Sequence, residues 1–129
     1  MPTLHVISFG YGHNPAPAAD LVVDVRNSLR NPHHDPAMRE LTGLSERVYE
    51  HVISTPGAED LARDTLTLAL HLAETTNRDV TVAWGCVGGR HRSVGLARLT
   101  HTLALADGRQ ASLTHRDVER PVLASRHHA

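Results

Sequence analysis

The sequence has one cysteine, Cys86, and no lysine; all 13 of its basic residues are arginine. A lone cysteine excludes an internal disulfide and a zinc site built on several thiolates, and it fits a reducing compartment. The missing lysine is explained most simply by codon bias from a GC-rich genome. An excess of charge is missing too, since 13 basic and 14 acidic residues leave a formal net charge of −1. No global field draws the chain to nucleic acid or to an anionic membrane, so a polyanion has to meet a local patch. No apolar run approaches the roughly 18 residues of a membrane span. The N-terminus "MPTLHVISFG" lacks the charged and apolar sections of a signal peptide. A cytoplasmic location without membrane contact is expected. No repeat or low-complexity segment occurs. At 129 residues and 40% hydrophobic composition, the chain suits one domain with a real core.

Within that frame, "LHVIS" (4–8) and "LVVDVR" (21–26) are short β-branched runs bounded by Gly, Pro and Asp, and they predict buried strands. The long connection "NSLRNPHHDPAMRELTGL" contains Pro32 and Pro36, with a turn of helix expected near 36–40. Ser45 suits the N-cap of a helix reaching Ser54, and Thr55 with Pro56 predicts the start of another reaching Glu74. On that second helix Leu61, Leu68 and Leu72 form a stripe flanked by Ala58, Ala62, Ala69 and Ala73, a narrow face suited to lying on a sheet. "DVTVAW" (79–84) predicts a third strand. A helix from Arg90 or His91 to Ala106 follows, covered on more than one face, and "QASLTH" (110–115) is a last strand. This order predicts a single layered α/β domain over residues 1–117 with a mainly parallel sheet, and a polar tail over 118–129.

The stretch "WGCVGGRHRS" (84–93) carries the chemistry. A strand running through a glycine-rich turn into a helix delivers several N–H groups to one point, where the helix dipole adds its positive end. Gly85, Gly88 and Gly89 permit close approach, and Arg90 and Arg92 can add charge-assisted contacts to phosphate or carboxylate oxygens. Cys86, Val87, His91 and Ser93 complete the loop. The same loop reads C-x-x-G-x-x-R-S and resembles the phosphate loop of cysteine-dependent phosphatases. There Cys86 would be nucleophile, Arg92 the clamp and Ser93 the hydroxyl that assists the thiol. That pattern usually places histidine before the cysteine, and here Gly85 stands there. An acid is also required, for which Asp24, Asp35 and Asp117 are available by type.

A second resemblance spans His5 to Asp117. "HVISFGYGHNPAPAADLVVDVRN", "NPHHDPAMRELTGL", "WGCVGGRHRSVGLA" and the late "HRD" at 115–117 together resemble the C-terminal domain of the RapZ family of bacterial RNase adapter proteins. The resemblance implies a phosphofructokinase-like fold, sensing of glucosamine-6-phosphate, a contribution to small-RNA binding, and a pocket built from the glycine-rich loop and the N-P-H segment, with His33, Gly88 and Arg92 in it and Cys86, Gly89, His91 and Ser93 in the surrounding loop. Where the family typically has threonine, this chain has Val87, which implies one phosphate contact fewer. The complete family protein carries a P-loop ATPase domain, but no G-x-x-x-x-G-K-[ST] occurs in these 129 residues, so Walker-type ATP chemistry is not expected of them. The C-terminal basic segment is thin, with Arg116, Arg120 and Arg126 among Asp117 and Glu119.

Other features are weaker. Gly10-x-Gly12 is a fragment of a dinucleotide fingerprint without a third glycine and predicts a turn at the rim of a pocket. Asp24, at the carboxyl end of the second strand, can face the same crevice as the loop after Trp84; partnership with Arg26 is the equal alternative. His33, His34 and Asp35 are adjacent and poorly disposed to share a metal, and neither a metal nor a cofactor is expected. The leading expectation is a non-catalytic binding domain. The loop from Gly85 to Ser93 would hold the phosphate of a small sugar phosphate, and Asp24 and His33 would read the sugar. RNA and a second copy of the chain stay open as partners. Near-neutral charge predicts RNA binding that is weak and salt-dependent, through Arg30, Arg39, Arg90 and Arg116 if they share a face.

Overall fold

A computed structural model describes residues 1–124; the predicted tail positions Arg126, His127 and His128 lie outside the described residues. Four strands, β1 (Thr3–Gly10), β2 (Leu21–Asp24), β3 (Val80–Cys86) and β4 (Gln110–His115), combine with three α-helices, α1 (Glu46–Ile53), α2 (Ala58–Thr76) and α3 (Arg92–Ala106). The sheet order is β2-β3-β1-β4 and each pairing is parallel. Gly10 is level with Cys86, and Asp24 with Gly85, so three strands end together at one edge. Ligands collect at such an edge in open α/β sheets.

The pleat divides the sheet into two unlike faces. Leu4 and Val6 of β1 and Val80, Val82 and Trp84 of β3 join side chains from all three helices in one core. The alternate positions point away from it. There the Phe9 ring meets Tyr11 edge-on at 4.7 Å, and a Cβ at Gly85 would fall 2.4 Å from Phe9. Gly85 is therefore a packing position within β3, beneath two aromatic rings.

Several boundaries differ from the sequence-based expectation. The third strand runs to Cys86 rather than Trp84, because Tyr11 and Gly12 extend the ladder by donating to the carbonyls of Cys86 (2.9 Å) and Val87 (2.8 Å). The second strand stops at Asp24 instead of Arg26, since the Asp24 carboxylate accepts the Arg26 N–H at 2.9 Å and turns the chain. The segment 36–40 forms turns, not helix. A 3-10 turn comes earlier, at Pro32–His34, fixed by the His33 N–H donating to Asn31 Oδ1 at 3.1 Å. The helix expected from Pro56 begins at Ala58 after Gly57, whose φ of 88° only glycine adopts freely. Its buried face is the alanine row, Ala58, Ala62, Ala69 and Ala73, with Thr65 and Leu66, while Leu68 is 49% exposed. Small side chains let the helix axis lie close to the sheet, which turns the leucines to the margin. Helix α3 is covered on several sides as expected, with Val94, Leu96, Ala97, Leu99 and Ala104 all buried.

Candidate functional site

The chain leaves β3 at Cys86, passes Gly88 and Gly89, and enters α3 at Arg92. Gly89 has a φ of 65°, and a Cβ on it would lie 2.6 Å from the Gly10 nitrogen. A Cβ on Gly10 would reciprocally meet Gly88 C and Gly89 N at 2.5 Å. The two glycine pairs are thus one contact: Gly10 is bare so that the 88–89 turn can rest on β1. The buried Asp117 carboxylate completes the seat, accepting the Gly10 N–H at 2.7 Å and pairing with Arg116 at 2.9 Å. The sequence offered Asp117 as an acid by type and as the end of the "HRD" motif, but not as the seat of the turn. Its "HRD" context carried the signal.

His91 stands at the N-cap of α3 without a side-chain cap bond, so the amides of Arg92, Ser93 and Val94 have no intrahelical acceptor. The amides of Gly88, Gly89 and Arg90 also donate to nothing among the described residues. Six N–H groups, those of residues 88–90 and 92–94, thus lack a protein acceptor among the described residues around one turn and the positive end of a helix.

The two arginines of the turn have opposite assignments. Arg90 Nε donates to the Leu41 carbonyl at 3.0 Å, Nη1 to the Arg120 carbonyl at 3.4 Å, and Nη2 to the Glu40 carbonyl. Its neighbour His91 bonds the carbonyls of Arg39 and Leu41 through Nε2 at 3.1 and 2.9 Å, which makes Nε2 the protonated nitrogen. Burial pushes the His91 pKa down to about 4, so the ring is neutral near pH 7. Arg90 and His91 together staple the 39–43 loop to the turn.

Arg92 is 3% exposed, and among the described residues no carboxylate pairs with it. Nη1 is anchored on the carbonyls of Arg26 (2.7 Å) and Ser28 (3.4 Å). Nε is buried without an acceptor among the described residues, and Nη2 makes no hydrogen bond there either. The Nε–Nη2 edge, the one that grips oxyanions bidentately, is free. Burial lowers the Arg92 pKa, the expected penalty for a desolvated cation, which Cys86 and Asp24 offset only in part.

Asn31 opens the N-P-H segment but was not itself singled out as a site residue. Its Oδ1 is committed to the His33 N–H, which fixes the amide orientation, and its buried Nδ2 has no acceptor among the described residues. Asn31 and Arg92 line one open cleft of about 290 Å3 with Arg26, Asn27, Leu29 and His34. An unsatisfied buried amide donor is the signal, visible only once the turn at Pro32 is built.

The remaining expected residues divide. Asp24 does not itself line the cleft: its carboxylate accepts from Arg26, which does, at Nε (3.0 Å) and Nη2 (2.6 Å), and that hydrogen bonding holds its pKa below the usual range. Arg26 in turn lies over the Tyr11 ring at 3.8 Å. His33 is buried beside Gly88 and His91, and burial lowers its pKa. Val87 is buried, with its carbonyl taken by Gly12. The His33 and His34 rings meet edge-on at 5.8 Å, and no three His, Cys, Asp or Glu side chains among the described residues converge on a metal position. Of the arginines considered for RNA, Arg39, Arg90 and Arg116 bond backbone carbonyls within the fold, and Arg30 is exposed. A wider groove between α2 and α3, lined by Leu66, Leu70 and Leu103, lies at the far end of α3. It lacks convergent donors, since Arg63 is paired with Glu59.

For nucleophilic chemistry the arrangement is poor. Cys86 is 3% exposed and its thiol donates to Ser93 Oγ at 3.1 Å. Arg92 is drawn toward β2 by the Arg26 and Ser28 carbonyls. The three candidate acids are engaged: Asp24 by Arg26, Asp35 by the Ala37 N–H, and Asp117 by Gly10.

Comparison with known proteins follows the same outline. The family described as the RapZ C-terminal domain matches residues 2–119. A nucleotide-binding protein of Sphingopyxis alaskensis is 42% identical over 92% of this chain, and one of Rhodospirillum centenum 44% identical over 92%. A nucleotide-binding protein of Thermus thermophilus is 47% identical over 91%. The matched segment covers 38%, 37% and 43% of those relatives, so the chain spans about two fifths of their length. No helix among the described residues is long and apolar enough to cross a membrane. With its parallel sheet, glycine-rich turn and match over nearly all its length, this chain belongs to the RapZ C-terminal domain family.

Proposed function

We propose that the domain binds a small phosphorylated sugar without turning it over, with glucosamine-6-phosphate as the first ligand to test. One observation carries the reading: the buried Arg92 guanidinium, anchored through Nη1, leaves its Nε–Nη2 edge without an acceptor among the described residues, beside the uncapped start of α3. A buried cation without a partner is costly, and a phosphate that supplies the missing charge recovers that cost. The amides of residues 88–93 take further phosphate oxygens, with one contact fewer where Val87 offers no hydroxyl. Asn31 Nδ2 donates to an oxygen of the sugar, and the Asp24–Arg26 pair and His33 border it. The relatives named nucleotide-binding proteins are more than twice as long as the matched segment, and a nucleotide is the competing ligand class.

Titration calorimetry with glucosamine-6-phosphate, glucosamine, inorganic phosphate and ATP tests this. The expected result is heat with the first and third, tighter with the first. Silence with every phosphorylated ligand ends the proposal, and preference for ATP replaces the ligand class. Asn31→Asp keeps the acceptor for the His33 N–H, removes the free donor and brings a negative charge into the cleft that Arg92 lines. It should weaken the sugar phosphate by about 1–3 kcal/mol while thermal stability stays near that of the parent.

A further inference from the structure

The glycine-rich turn is already covered from one side by the protein's own chain. After the buried Val118, residues 121–123 run across it. Pro121, Val122 and Leu123 face His33, Gly88, Arg90 and His91, and the space left between them is about 10 Å3. That scarcely holds one water. The two ends of this segment are held very differently. Its root is fixed: the Arg120 N–H donates to the Asp117 carbonyl at 3.0 Å, and Arg90 Nη1 reaches the Arg120 carbonyl at 3.4 Å. Its tip, residues 121–124, makes no backbone–backbone hydrogen bond among the described residues and is held there by side-chain packing. Leu123 Cδ1 lies against Gly12, where a Cβ would fall 2.3 Å from it. A segment with a fixed root and, among the described residues, a bare backbone held by apolar packing opens at lower cost than the hydrogen-bonded fold around it.

We infer that residues 121–124 form an autoinhibitory strap, which must swing off the glycine-rich turn before a phosphate can occupy the amides of Gly88–Arg90. The inference rests on the proposed phosphate site. The cleft on the Arg92 side stays open, so a ligand first meets the free guanidinium edge and then displaces the strap to gain the amides. Affinity is reduced by the fraction of molecules whose strap is open.

The test uses the full chain in three forms: parent, Leu123→Ser, which removes the packing against Gly12, and Gly12→Ala, which fills the seat of Leu123. Hydrogen exchange reads the strap without any ligand, and the amides of residues 88–90 should exchange at least tenfold faster in both variants while those of β1 and β3 are unchanged. Calorimetry with glucosamine-6-phosphate and inorganic phosphate should then show both variants binding about threefold to tenfold more tightly than the parent, the gain expected if the strap is closed in most molecules. Unchanged exchange overturns the strap whatever the binding data say. Faster exchange with equal or weaker affinity also overturns it, because the segment would then be spectator or pocket wall. Faster exchange with no heat from any form supports a strap over the turn and removes the phosphate reading instead.

Discussion

Arg90 and Arg92 stand two positions apart in one turn, and the regions around them do different work. Around Arg90 each donor has found a carbonyl, His91 repeats the pattern, and the result joins the 39–43 loop and Arg120 to the turn. Around Arg92 the protein leaves donors over: a guanidinium edge, the Asn31 amide and the first amides of α3. Satisfied polar groups hold a fold in one arrangement, whereas unsatisfied buried ones wait for a partner. The turn therefore has a structural flank and, on the proposed function, a binding flank. Substitutions on the first should change stability with little effect on intrinsic affinity, and those on the second the reverse.

The largest expected effect is on the structural side. Asp117→Ala leaves Arg116 without its buried carboxylate and the Gly10 N–H without an acceptor, and should cost about 3–5 kcal/mol in denaturant unfolding. A loss below about 1 kcal/mol would show that the seat under the turn has been overvalued. Acid should act on the same flank. His91 has a folded pKa of about 4 against an ordinary 6.5, so the unfolded chain binds the extra proton first. Its contribution is complete above pH 6.5 and is lost as pH falls toward 4, by about 3 kcal/mol in all. His33 and His115, also lowered by burial, act in the same direction. Unfolding midpoints measured from pH 7 to 4 should fall throughout, and His91→Gln, which keeps a donor, should flatten the slope.

On the binding flank, Arg92→Lys keeps a charge and loses the fork, and should weaken phosphate-dependent affinity by about 1.5–3 kcal/mol in calorimetry. Arg90→Lys should leave that affinity within about 0.5 kcal/mol of the parent. Equal losses at the two positions would erase the distinction. The smallest signal should come from RNA, because Arg39, Arg90 and Arg116 are turned into the fold. A gel shift should show weak binding that disappears on raising salt toward physiological strength.

Much of the fold was legible in the sequence because strands and helices announce themselves by period. The element order, the parallel sheet and the strand-to-helix turn at 85–92 follow from apolar alternation and glycine placement. What escaped depended on partners remote in sequence. Nothing local says that Leu68 yields to the alanine row, that Gly10 is bare for the sake of Gly89, or that Asp117 lies beneath both. The two arginines look equivalent in "GGRHRS" and are separated only by what surrounds them. The Glu40 and Leu41 carbonyls lie within reach of one, while Arg26 and Ser28 anchor half of the other. Asn31 was not singled out because its spare donor appears only when Oδ1 is occupied.

The most direct test is a crystal structure at neutral pH with glucosamine-6-phosphate bound. The account predicts phosphate oxygens on Arg92 Nε and Nη2 and on amides between Gly88 and Ser93, with Asn31 Nδ2 on a sugar oxygen and the Cys86 sulfur away from phosphorus. A phosphate held by Arg90 instead, or one seated above the Cys86 sulfur in line with its ester oxygen, would contradict it.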